Sequence, residues 1–182
     1  MNVKRWEWMG APVCFGLAVL LHHAYNWSGQ AFAVGLFAPV NESVWEHSKL
    51  LVIPFLLWQL AVGLAARPPM RTFLPAVAAA AWAMPAAMIA FFYVYSGVLG
   101  KNILAVDIVS TLVWLLMGAW IVVRKMRRSG GGSVGMAWAA LLLLLAMQVG
   151  FSVCPPALAL FRDTETGGFG MPAACRMMSI PR

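Results

Sequence analysis

Residues 39–66 read PVNESVWEHSKLLVIPFLLWQLAVGLAA. The stretch changes character at its middle. Asn41, Glu42, Ser43, Glu46, His47, Ser48 and Lys49 crowd its first part, whereas Leu50 to Ala66 contain one polar side chain, Gln59. The second part is an apolar helix that crosses most of a hydrocarbon layer about 30 Å thick. The first part is then a polar mouth at the membrane boundary. Ionisable groups are costly to keep there, so by default they suggest a site.

The rest of the chain fits this setting. Of 182 residues, 62% are hydrophobic and only 10% charged, too little polar surface for a dissolved domain of this length. Apolar segments cover about residues 9–27, 45–66, 73–95, 103–123 and 134–155. The expected fold is therefore a single all-α membrane domain over 1–182, a bundle of five transmembrane helices followed by a tail over 156–182. MNVKRWEWMG has the basic start of a signal peptide, but His22, His23, Tyr25 and Trp27 stand where a cleavage site belongs, so it reads as a retained span. Pro75 and Pro85 interrupt the third segment. Ala79, Ala83 and Ala87 there have the spacing of a close helix contact.

The net charge of +7 is spread over short loops rather than along one stripe, which points to topology and away from nucleic acid. Lys4, Arg5, Arg67, Arg71, Arg124, Lys125, Arg127 and Arg128 fall on one side of the expected bundle, against Lys49 and Lys101 in the short loops of the other. By the positive-inside rule the N-terminus is cytoplasmic and the C-terminal tail extracytoplasmic. Five of six acidic residues and all three histidines then gather toward the outer side. Tryptophans and tyrosines near the span ends, Trp45, Tyr93 and Tyr95 among them, read as interfacial belts.

The polar mouth supports two readings. Ser43-Val44-Trp45-Glu46 fits a capping box, and Lys49 is placed to pair with Glu46 and snorkel to the interface. Capping does not require Glu42, His47 or Asn41. Ser43 and His47 also share a helix face. His22 and His23 are adjacent, so at most one turns toward the bundle. Asp107 is an acid inside an apolar segment and needs a partner, with Lys101, His23 or His47 as candidates. His23, Glu46, His47 and Asp107 are accordingly the expected ligands of a divalent cation such as zinc. Glu42, Ser43, Glu46, His47 and Asp107 are the candidate catalytic groups. Asp163 and Glu165 before Gly167-Gly168 read as a turn. Cys154 and Cys175 are placed to form a disulfide or to remain thiols.

PVNESVWEHSKLL, YSGVLGKNILAVDI and CPPALALFRDTETGGFG together resemble a family of small bacterial multi-pass membrane proteins of unknown function. The resemblance covers nearly the whole chain and implies a bacterial cytoplasmic membrane; no activity, substrate or cofactor comes with it. Ser43, His47, Asp107 and His23 also resemble, in outline, the Ser-x-x-x-His, Asp and His set of ceramidase-type membrane hydrolases. The seven spans and terminal His-x-x-x-His of that group are absent. The expected function is a metal-dependent membrane hydrolase acting on lipid or a lipid-linked substrate. The alternatives are binding or transport of a cation, proton or small solute, and a scaffold subunit. The lipid bilayer is the one partner the sequence implies.

Overall fold

In a computed structural model the described residues, 3–127 and 130–171, form helices joined by turns and loops, with one isolated antiparallel bridge and no named strand among them. The elements are α1 (Val3–Trp27), short α2 (Phe32–Gly35), one-turn α3 (Val44–His47), α4 (Lys49–Ala66), α5 (Met70–Leu99), α6 (Leu104–Met126), α7 (Val134–Val153) and a 3-10 turn, Ala159–Phe161. α5 and α6 form the most extensive pair. α1 packs on α4 and α6, and α7 packs on α5. The core runs down the middle through Leu51, Phe55, Ala80, Met84, Leu115 and Leu144.

Four helices among the described residues are long and apolar enough to cross a membrane: Val44–Ala66, Met70–Leu99, Leu104–Met126 and Val134–Val153, with mean hydropathies of 1.8 to 2.1. The expected count of five is corrected at α1. That helix has the length, but Lys4, Arg5 and Glu7 lie at its start and His22, His23 and Asn26 near its end. These polar groups dilute its apolar middle.

Local chemistry explains the other departures. α5 runs unbroken through Pro75 and Pro85. A proline frees one carbonyl four residues back, and close neighbours can absorb that loss in a packed bundle. The fully buried small residues of α5 are Ala76, Ala80 and Ala81 rather than the expected Ala79, Ala83 and Ala87, with Met84 one turn on. A Cβ at Gly118 would overlap the Met84 side chain, so α6 can lie this close to α5 only because glycine stands there. Trp45 and Tyr25 are buried, not interfacial. Trp45 stacks with Phe151 and Phe161, each at 5.3 Å between ring centroids.

One polar network ties the mouth of the bundle together. Ser43 caps α3, its hydroxyl accepting from Glu46 N at 3.3 Å, as the capping box predicts. Glu46 and Lys49 do pair, 2.8 Å apart, but both are buried and the lysine does not snorkel. Lys49 Nζ also donates to the carbonyls of Gly35 and Ala38, at 2.9 and 3.1 Å. Glu46 accepts from Val40 N at 3.1 Å and from Ser152 Oγ at 2.5 Å. Gln148 Nε2 donates to Ser48 Oγ at 2.8 Å. The loop before α3 and the end of α7 are thus both bound to the α3–α4 junction.

Removing one member of a buried pair strands the other charge, at a cost of about 3–5 kcal/mol. K49M should therefore lower the unfolding midpoint sharply in detergent, whereas K49M combined with E46Q should regain much of the loss. A double variant no more stable than K49M would contradict this account.

Candidate metal centre

The loop 36–43, held by the Glu46–Lys49 network, carries Glu42 into reach of two histidines. His47 Nε2 lies 3.2 Å from Glu42 Oε2, and His22 Nε2 lies 3.9 Å from Glu42 Oε1. The two imidazole rings are 5.4 Å apart between centroids. One ligand atom from each of His22, Glu42 and His47 falls within 4.8 Å of the others, and all three residues are half-buried. Tetrahedral zinc with bonds of about 2.0–2.1 Å needs ligand atoms roughly 3.3 Å apart, so a small contraction would close the set. Two histidines and a glutamate make a three-ligand zinc site with one position left open.

His47 is oriented for this role. Its Nδ1 lies 2.9 Å from the carbonyl oxygen of Ser43. A carbonyl only accepts, so Nδ1 carries a proton; Nε2 reaches Glu42 by donating a second proton, and loss of that proton would free its lone pair for a metal ion. A backbone carbonyl holding the far nitrogen of a ligating histidine is a common supporting contact at metal sites. His22 Nδ1, by contrast, is buried with no hydrogen-bond partner among the described residues.

The expected ligands divide. His47 is in the cluster, whereas His23 stacks on His22 and Trp27 and His22 takes its place. Glu46 is occupied by Lys49 and Ser152, and Glu42 stands in its position. Ser43 is buried with its hydroxyl engaged in the cap; its contribution to the site is its carbonyl. Asp107 is not a member of the three-residue cluster. Its partner is none of the three candidates but the Tyr95 hydroxyl, which donates to Oδ1.

Two cavities meet at His47 and Asp107. One, of about 330 Å³, runs between α1, α4 and α6, with Phe15, Ala18, Val19, Leu50 and Ile108 as apolar wall and His22, His23, His47 and Asp107 at its polar part. The other, of about 130 Å³, continues from His47 and Asp107 toward Glu42, Asn102 and Thr164. The site is polar at one point and greasy along its length.

The tail closes over it. Thr164 Oγ1 donates to the Glu42 carbonyl at 3.0 Å, and Met171 N to that of Ser152 at 3.0 Å. Asp163 accepts from Glu165 N at 3.0 Å, forming the expected turn. Burial pushes the Asp163 carboxyl up, but the Thr166 hydroxyl and the backbone N–H groups of Glu165, Thr166 and Glu42 outweigh it and hold the group below its ordinary 3.8. At Glu42 the hydrogen bond with His47 leads in lowering the carboxyl below its ordinary 4.5, against burial. Cys154 is exposed, and Cys175 with its expected disulfide lies outside the described residues.

A family model spans residues 1–171, which include every group just described. The chain belongs to the family of unknown function DUF6512. No curated protein and no solved structure matches it. Membership thus agrees with the resemblance read from the sequence to the extent of an uncharacterised family.

Asp163 gathers the donors that hold the tail hairpin. D163N should accelerate tryptic cleavage after Arg162 several-fold while leaving the bundle's unfolding midpoint nearly unchanged. Cleavage at the wild-type rate would show that the hairpin is held by other contacts.

Proposed function

We propose that this protein is a metal-dependent membrane hydrolase whose divalent cation, zinc by its nitrogen and oxygen ligands, is held by His22, Glu42 and His47. The observation that carries the reading is the convergence of three ligand atoms, from α1, the loop before α3 and α3, two of whose residues, His22 and His47, line the polar part of a cavity with apolar walls. An ester in a lipid or a lipid-linked molecule fits such a space, with its chain along Phe15, Val19 and Ile108 and its polar group at the histidines. Zinc at an open three-ligand site lowers the pKa of a bound water to near 7. Asp107, across the cavity from His47, would take the water's proton. With that water's oxygen added to the electrophilic carbon or phosphorus of the ester and the bond to the leaving oxygen broken, Asp107 would return the proton to the leaving oxygen.

The orientation belongs to the same proposal. Lys4, Arg124 and Arg127 line one cavity at the end of the bundle remote from the histidines, and Arg67 and Arg71 flank the turn between α4 and α5. That basic end is assigned to the cytoplasm and the metal centre to the extracytoplasmic face of a bacterial membrane.

The purified wild-type chain should retain close to one zinc, and H22A, H47A and E42Q should each lose it, whereas E165Q should not. The same preparations, given fluorescent acyl and phosphoryl esters in mixed micelles, should show hydrolysis that a chelator abolishes. Failure to retain or rebind any divalent metal would overturn the proposal. Retention without hydrolysis of any ester would leave the second reading, binding or transport of the cation itself, supported by the same three ligands.

A further inference from the structure

A second polar pair lies away from the histidines, where α1 crosses the C-terminal half of α4. Glu7 is 1% exposed and Gln59 3%. Gln59 Nε2 donates to Glu7 Oε2 at 2.8 Å. The two remaining oxygens, Glu7 Oε1 and Gln59 Oε1, are both buried without a hydrogen-bond partner among the described residues. No ion pair among the described residues involves Glu7. The gap beside the pair is about 10 Å³, marginal for one water molecule and too small for a hydrated metal ion.

This arrangement fails as an ionised glutamate. A carboxylate here would leave one negative charge and two acceptor oxygens without cation or donor, at a cost of several kcal/mol. One proton on Glu7 Oε1 removes the charge and supplies a donor for Gln59 Oε1. Acid and amide then each donate once and accept once, and both orphaned oxygens are satisfied together. We propose that Glu7 and Gln59 form a buried proton-binding site, a neutral acid–amide ring joining α1 to α4.

Among the described residues, the lining of this gap offers no competing charge. From α1, Cys14 is the other titratable group in the lining, and its Sγ donates to the Pro54 carbonyl at 3.4 Å. α4 and α6 contribute Phe55, Trp58, Leu115 and Ala119, none of which titrates. Lys4, one turn earlier in α1, lines a separate cavity with Arg124 and Arg127. The folded chain therefore holds, up to about pH 7, a proton that the unfolded chain releases near the ordinary glutamate value of 4.5. A state that binds more protons loses stability as pH rises.

The site is tested by infrared spectroscopy of the full chain labelled with carboxyl-¹³C glutamate, which excludes Asp107 from the signal. At pH 7 one of the four glutamates should absorb as a protonated acid, and that band should vanish in E7Q. An amide at position 7 keeps a donor and an acceptor for Gln59 but cannot titrate. The unfolding midpoint of E7Q should therefore change less than that of the wild type between pH 6 and pH 9, and exceed it by several degrees at the alkaline end. Four ionised glutamates at pH 7, or a parallel pH profile in E7Q, would overturn the proposal. The wild-type spectrum decides the matter even if E7Q does not fold.

Discussion

A charge pair sealed from solvent organises the polar end of this bundle. Neither Glu46 nor Lys49 is stable alone at that depth, because each loses its hydration and needs the other plus further hydrogen bonds. The partners supplied are backbone atoms of residues 35–40 and the hydroxyl of Ser152. Satisfying the pair therefore fixes where the chain enters α3 and where α7 ends. Glu42 follows from that constraint, since it sits on the same loop between Val40 and the Ser43 cap. The candidate metal ligands are held in place by a structure that is not itself part of the chemistry.

The bundle shows a division of labour among its acids. Glu46 is paired with a lysine, Asp107 accepts from a tyrosine hydroxyl, Asp163 from a ring of turn donors, and Glu7 meets only an amide. Glu42 is the one that faces two imidazoles and open cavity space. Acids that look equivalent in a sequence thus acquire different chemistry from their neighbours, which is how environment normally assigns roles to carboxyl groups.

Much of the fold was legible because hydrophobic runs of membrane length leave few alternatives. The four spans were found within a few residues, and the polar mouth was found from residue type alone. The Ser43 cap and the Glu46–Lys49 spacing were also visible. Burial of that pair was not, because i, i+3 spacing is the same on a wet face and a dry one. The choice of His22 over His23 depends on a rotation of α1 by one residue, and two adjacent polar residues give no period to measure. Tyr95 was missed as the partner of Asp107 because an aromatic near a span end carries the same signal whether it faces lipid or protein. The first helix was overcounted because the polar residues at both its ends, some turned inward like Glu7 and His22 and some exposed like Lys4 and Asn26, leave too short an apolar middle.

The three ligand residues come from positions 22, 42 and 47, and the hairpin that covers them from 163 to 171. The covering segment therefore follows α7 in the order of synthesis. A chain made only as far as α7 carries the three side chains and the cavity walls but lacks the segment whose Thr164 binds the Glu42 carbonyl.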